Sequence, residues 1–190
     1  MKQGAEAKVE RKDGKVIKKR EEKTYRHEEL DERIRNERTS EELKNIKRAR
    51  KYGVNIPETE GKDPTTLTQE EIDGKALKEV IETETEKLVK VGKNIAKLHS
   101  SKIIHGDITT SNILVDGEDV YLIDLGLSEI SERVEDKAVD IHLLKQVLRT
   151  SHPEVAEDAW EKFIEGYKDH EEFDEVMEQL EDVESRGRYK

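Results

Sequence analysis

Between Lys102 and Gly126 the chain reads Lys-Ile-Ile-His105-Gly-Asp107-Ile-Thr109-Thr110-Ser-Asn112-Ile-Leu-Val and, after a short interval, Val-Tyr-Leu-Ile-Asp124-Leu-Gly126. An Asp, an Asn five residues on and a second Asp followed by x-Gly are the residue types that phosphoryl transfer uses. A carboxylate such as Asp107 can orient or deprotonate an attacking hydroxyl. The carboxamide of Asn112 and the carboxylate of Asp124 are hard oxygen ligands, suited to magnesium beside nucleotide phosphates. Taken singly, Asp107 can equally cap a turn and Asn112 can bond backbone. Three such residues in one order and spacing argue for chemistry.

The elements that must position them are legible in the apolar pattern. Ile103-Ile104 and Ile113-Leu114 anchor the two ends of a polar loop, and Val120 to Ile123 forms a strand delivering Asp124. Leu88, Val91, Ile95 and Leu98 recur at helical spacing just before it. Upstream, Ala7-Lys-Val-Glu10 and Val16-Ile-Lys18 flank Asp13-Gly14, which predicts a hairpin. His27 to Tyr52 is helical in pattern, either one long helix or two joined near Thr39, with Gly53 as the stop. Asn55-Ile-Pro57 and Gly61-Lys-Asp-Pro64 read as loops, and Thr66 to Ile72 as a polar strand ending at Asp73-Gly74. Downstream, stripes at Ala138, Ile141, Leu144 and Leu148, at Trp160, Phe163, Ile164 and Tyr167, and at Phe173, Val176, Leu180 and Val183 predict three core-forming helices.

Phosphoryl transfer also needs a cation on a strand to hold phosphates. Strand alternation puts Lys18 on the face of Val16, opposite Lys19, so Lys18 is the candidate. Its expected carboxylate partner is Glu42, which shares a helix face with Ile46 and Ala49; Glu41 is the alternative. A phosphate-covering loop is expected at Gly4, Ala5, Glu6 and Ala7, although a single glycine stands there and Gly-x-Gly-x-x-Gly is absent. Glu70 to Ile72 falls where backbone would bond an adenine ring.

Composition limits the alternatives. The 190 residues are 43% charged and 32% hydrophobic, so a folded but thinly cored protein is expected. No run of apolar residues and no leader-like start argues for membrane or secretion, and a soluble cytoplasmic protein is expected. The absence of cysteine excludes disulfides, thiolate nucleophiles and cysteine zinc sites. The net charge of −11 is uneven: residues 1–52 carry 18 Lys/Arg against 12 Asp/Glu, whereas the remainder carries 17 against 34. The basic first third can face phosphate, nucleotide or RNA.

The catalytic segment resembles the protein-kinase loop and its following Asp-x-Gly, and Val16-Ile-Lys18 loosely resembles the kinase Val-Ala-Ile-Lys. Gln3-Gly-Ala-Glu-Ala7, Tyr25-Arg-His27, Arg38-Thr39, Glu71-Ile-Asp-Gly74, His105-Gly-Asp-Ile-Thr-Thr-Ser-Asn112, Glu135-Asp-Lys-Ala-Val-Asp140 and Arg186-Gly-Arg188 together closely resemble the small atypical kinase of the KEOPS (EKC) complex, the p53-related protein kinase family. That resemblance implies an α+β, minimal two-lobed protein-kinase-like fold: a small β-rich N-lobe with a long helix (residues 1–74, hinge included) and a helical C-lobe with a basic tail (residues 75–190). It implies ATP and magnesium as cofactors, serine/threonine kinase and ATPase activity, and partnership with the threonylcarbamoyl-transferase and other KEOPS subunits, reaching tRNA through the complex. Carried over, Asp107 is the catalytic base, Asn112 and Asp124 the metal ligands, Lys18 the phosphate-holding lysine, Glu42 its partner, and Asp140 the residue bracing the loop. The backbone from Glu70 to Ile72 is the adenine-binding hinge, with Gln69 at the gatekeeper position.

The sequence departs from ordinary kinases in several places. Leu125 stands for the usual Phe, Ile108 for Leu, and Thr109 for the lysine two residues after the base. Only about a dozen residues separate Gly126 from Ala138, with no Ala-Pro-Glu, so a constitutive geometry without an activation-loop switch is expected. Two rival readings are a kinase-like scaffold with little turnover and a RIO-type ribosome-biogenesis kinase.

Overall fold

The computed structural model describes residues 2–3 and 7–187, with side chains from Ala7 to Arg186, and its first part is a five-stranded antiparallel sheet. Its strands are β1 (Lys2–Gln3), β2 (Lys8–Lys12), β3 (Lys15–Lys19), β4 (Thr59–Asp63) and β5 (Thr66–Glu70), in the order β1-β2-β3-β5-β4. Asp13 and Gly14 make the β2–β3 turn with φ of 52° and 71°. Two successive left-handed residues match the twist of a tight hairpin, which is why Asp-Gly serves there.

Helix α1 (Glu28–Lys51) is continuous and packs on β4 and β5. It does not break at Thr39, whose hydroxyl donates back to the Arg35 carbonyl at 2.8 Å. Its buried face runs through Asp31, Thr39, Glu42, Asn45, Ile46 and Ala49, so polar and charged side chains occupy most of what would ordinarily be an apolar stripe.

After the five-stranded sheet come β6 (Lys75–Ala76), α2 (Leu77–Val80) and α3 (Lys87–Ser100). Short strands β7 (Ile103–Ile104), β8 (Ile113–Asp116), β9 (Asp119–Leu122) and β10 (Glu129–Ile130) follow, then helices α4 (Val134–Ser151), α5 (Ala156–Tyr167) and α6 (Phe173–Gly187). The strands form one sheet in the order β6-β8-β9 and a β10-β7 pair. Leu88, Val91, Ile95 and Leu98 of α3 are buried, with Ile141, Leu144 and Leu148 of α4 and Phe163 and Tyr167 of α5 in the same core. Helices α3 and α5 meet backbone to backbone: a Cβ on Gly92 would stand 2.1 Å from the Phe163 carbonyl oxygen, and one on Gly166 would stand 1.9 Å from that of Val89. No helix among the described residues is long and apolar enough to cross a membrane.

Two sequence expectations need correction. Gly61-Lys-Asp63 is not a loop but the outer half of β4, with a bulge between Gly61 and Asp63. Its exposed, polar, glycine-bearing sequence is what an edge strand tolerates, and pairing with β5 overrides the local turn chemistry. The polar strand β5 ends at Glu70, two residues earlier than expected, so Glu71 and Ile72 already belong to the connection between lobes. Buried Thr66 and Leu67 rather than alternation alone hold it in the sheet.

Candidate functional site

Lys18 is buried in β3 while Lys19 next to it is exposed, as expected for neighbours on opposite faces of a strand. The Lys18 ammonium donates to Glu42 Oε1 at 2.7 Å and to Asp124 Oδ1 at 2.6 Å. It thereby joins sheet, long helix and the turn after β9. Glu42 is buried, Glu41 exposed. The second Glu42 oxygen accepts from Arg20 Nη2 at 2.7 Å, and Arg20 Nη1 donates to Thr39 Oγ1 at 3.3 Å.

Asp124 adopts φ of 62°, a left-handed conformation that costs a non-glycine residue roughly 1–2 kcal/mol. The turn aims its carboxylate back at Lys18, and the Gly126 N–H donates to Asp124 Oδ1 at 3.2 Å. Burial of the turn pushes the Asp124 carboxyl up, but the Lys18 charge, its hydrogen bond, the Gly126 N–H and the neighbouring His105 outweigh it, leaving the pKa below the usual carboxylate range.

Asn112 Nδ2 donates to both the Asp107 carbonyl, 2.9 Å, and Asp107 Oδ2, 2.7 Å. The Asn112 carbonyl in turn accepts from the Ile123 N–H at 2.9 Å, which fixes the loop beside the residue preceding Asp124. Beneath the loop, Asp140 of α4 accepts from the backbone N–H groups of His105 and Gly106, both at 2.8 Å. Desolvation raises the buried Asp140 carboxyl, but the hydrogen bond from His99, the neighbouring His99 and His105 rings and the His105 N–H outweigh it, for a net shift downward. His99 Nε2 lies 3.1 Å from Asp140 Oδ2 and His99 Nδ1 lies 2.8 Å from the Tyr167 hydroxyl. Burial, followed by the Asp140 charge, raises the Tyr167 phenol, so it stays protonated and donates to Nδ1 while Nε2–H donates to Asp140. A second brace ties Thr110 Oγ1 to His152 Nε2 at 3.0 Å.

A cavity of about 160 Å³ opens between the lobes at Lys18 and Asp124. Val9 and Val16 cover one side and Leu114 and Ile123 the other, an apolar slot that fits a flat ring. Glu70 and Ile72 form its edge, and the Gln69 side chain, satisfied through Thr59 Oγ1 at 3.2 Å, closes the rear. A larger hollow of about 450 Å³ lies between β10 and α4, but the chemistry-bearing side chains converge on the smaller one. Beyond Gly126 the chain turns at once into β10 and α4, and Asn45 of α1 reaches across to donate to Ser128 at its hydroxyl, 3.0 Å, and its carbonyl, 3.3 Å.

The structure therefore brings Lys18, Glu42 and Asp124 into direct contact and Asp107 and Asn112 into a second pair, while Glu70 and Ile72 edge the cavity. Ala7 is buried just before β2; Gly4, Ala5 and Glu6 lie outside the described residues, as does Arg188 of the tail. Sequence reasoning missed Arg20. Strand alternation carried the signal, since Arg20 stands two residues beyond Lys18 on the same face. It also missed His99 and Tyr167, which look like ordinary helix-face residues until α3 and α5 are packed together.

Comparison with known proteins adds a lineage to this geometry. A family model described as RIO domain matches residues 5–145. A Pyrococcus abyssi protein named KEOPS complex subunit Bud32 is 37% identical over 92% of this chain and 84% of its own. A Methanocaldococcus jannaschii protein named "Probable bifunctional tRNA threonylcarbamoyladenosine biosynthesis protein" is 39% identical over 92% of this chain, which spans 33% of that protein's length. The solved Rio2 kinase complex with ADP, magnesium and phosphoaspartate from Chaetomium thermophilum covers all of this chain and 70% of its own, with TM-score 0.62 at 15% identity, a likeness of fold.

Proposed function

Because this chain belongs to the RIO-domain family, alongside relatives named for the Bud32 subunit of KEOPS, we propose that it is an ATP- and magnesium-using kinase and ATPase serving the complex that makes threonylcarbamoyladenosine on tRNA. RIO membership and the KEOPS relationship coincide here, so the RIO domain describes the fold and the Bud32 relatives narrow the biological setting. The observation that carries the reading is the Lys18 ammonium held between Glu42 and Asp124, beside the Asp107–Asn112 pair.

In this reading Lys18 holds nucleotide phosphates and Glu42 keeps it extended toward them. Asn112 spends its Nδ2 on Asp107, which leaves its Oδ1 as a ligand oxygen beside the Asp124 carboxylate. Among the described residues no group of three or more His, Cys, Asp or Glu converges, and one carboxylate with one carboxamide is the donor set of a magnesium that keeps waters and phosphate oxygens as its other ligands. Such an ion supplies charge neutralisation on the transferring phosphoryl group. Asp107, with one oxygen tied to Asn112, offers the other to the attacking hydroxyl and takes its proton. Val9, Val16, Leu114 and Ile123 enclose the base, and backbone from Glu70 to Ile72 bonds its edge. The residues at Gly4 to Ala7 are assigned to the phosphates on the resemblance alone.

Serine/threonine phosphotransfer is the finer part of the proposal. Thr109 replaces a lysine that would stabilise the transition state, so water or a hydroxyl presented by a partner is the favoured acceptor over a free peptide. A cytoplasmic setting, a lobe boundary at residues 74–75 and docking to the transferase and other KEOPS subunits complete the reading. One observation favours the scaffold alternative: the cavity is small beside the roughly 300–1,000 Å³ typical of ligand pockets. ATP hydrolysis by the intact chain and by Asp124→Ala, each with and without the transferase subunit, separates the two. Turnover should fall on the order of 100-fold in the variant; equal rates would leave only the scaffold.

A further inference from the structure

Among the described residues that line the cavity at Lys18 and Asp124, Gln69 is the one uncharged polar side chain. It stands directly opposite Val16 of β3 and Thr59 of β4, and cross-strand partners share a face of the sheet, so its side chain lies on the face that forms the slot. Only 9% of Gln69 is exposed. The Thr59 hydroxyl gives its single hydrogen to the Pro57 carbonyl at 2.9 Å, so toward Gln69 it acts as an acceptor. Gln69 must therefore present Nε2 to it, at 3.2 Å, and turning the amide over would set oxygen against oxygen. That leaves Oε1 as an acceptor with no donor among the described residues.

A purine nucleotide in this slot carries its identity at the six-position of the ring: adenine has an amine there, hypoxanthine and guanine an oxygen. The backbone at the slot's edge has few donors with which to tell them apart, because the N–H groups of Glu70 and Glu71 are already given to the Glu58 and Gly14 carbonyls at 2.8 and 3.1 Å. A buried acceptor whose orientation is locked attracts the amine and repels the oxygen, and a site built this way rejects the wrong base because a buried polar group is then left unpaired. We propose that Gln69 is the specificity-determining residue for the base: its Oε1 accepts from the exocyclic amine of adenine, and Thr59 holds the amide in the orientation that does so. The inference rests on the nucleotide reading above and adds to it the choice of base.

The test is calorimetric binding of magnesium ADP, IDP and purine riboside diphosphate, the last lacking any six-substituent, to the full chain. The intact protein should prefer ADP to both. Gln69→Leu, which leaves the Thr59–Pro57 bond in place, should shrink the ADP-to-IDP preference about tenfold and narrow the gap between ADP and purine riboside diphosphate. Thr59→Val frees the amide to turn and offer Nε2 to an oxygen, so it should shrink the ADP-to-IDP preference by raising IDP affinity. An amide that only fastens β4 to β5 would lower the urea midpoint of both variants and leave the three affinities in their original ratios, which overturns the proposal. ADP binding that is lost in Asp124→Ala, combined with ratios unmoved in Gln69→Leu and Thr59→Val, sinks this inference and leaves the nucleotide reading standing. Failure of the intact chain to bind any of the three overturns both.

Discussion

Glu42 spends both carboxylate oxygens on cations that are themselves buried, Lys18 of β3 and Arg20 just beyond its end. Two buried charges of one sign share this carboxylate, with Asp124 as a second partner of Lys18 alone, so the arrangement is costly to interrupt. Glu42→Gln should destabilise the chain by roughly 3–5 kcal/mol, seen as a lower urea midpoint at unchanged m-value. Arg20→Met should cost less, because Glu42 keeps Lys18 and the methionine refills the space. At this scale the sequence was informative where a simple period applied. Alternation separated Lys18 from Lys19, and the same rule extended by two residues would have found Arg20. What alternation could not show is that Arg20 Nη2 and the Lys18 ammonium meet one carboxylate, since that depends on the approach of a helix more than twenty residues away.

The helices of the second lobe were legible because their apolar spacing is regular, and α3, α4, α5 and α6 appear where Leu88, Ile141, Phe163 and Val176 predict them. Strand β4 was not, because an edge strand held by pairing on one side needs no apolar pattern of its own. The crossing of α3 and α5 was equally silent: glycines within helices read as weak points until the partner backbone is seen. Gly166 immediately precedes Tyr167, and Gly92 lies two turns before His99, so the crossing sets the spacing of the Tyr167–His99–Asp140 chain that supports the loop at His105 and Gly106. Gly166→Ala has no room for its methyl group and should push α5 outward at a cost of about 1–3 kcal/mol. ATP turnover is expected to drop several-fold while circular dichroism at 25 °C still reports a folded chain. Unchanged turnover in a destabilised protein would mean that the loop does not feel the crossing.

Over the whole molecule, the helical lobe buries groups whose protonation links the fold to pH. His170 is packed among Ser100, Tyr167, His99, Lys137 and Glu172. Burial, then the charges of His99 and Lys137, depress it to about 4 from an ordinary 6.5, with Glu172 opposing. The unfolded chain therefore binds the extra proton first, so this contribution is complete above pH 6.5 and disappears as pH falls toward 4. Asp124 and Asp140, both depressed, contribute above the ordinary carboxylate pKa and are lost in stronger acid. Urea unfolding at pH 7 and pH 4.5 should show a marked loss for the intact chain and a smaller one for His170→Gln, which keeps a polar partner for Ser100 without titrating. The helix stripes and the Asp-Gly hairpin were readable from the sequence because they are local signals, whereas the two-lobe plan came only with the family resemblance. The convergence of charge between the lobes was not readable, since no local pattern encodes which surfaces will face each other.

The reach of Asn45 across to Ser128 joins the long helix to the segment following Asp124-Leu-Gly126, two parts that must move independently for a kinase to be turned off by rearrangement. Any rearrangement that separates those parts has to break both hydrogen bonds. Asn45→Ala should therefore free the long helix from the segment after Gly126, and hydrogen exchange at Ser128 and its neighbours should rise if that contact holds the two together.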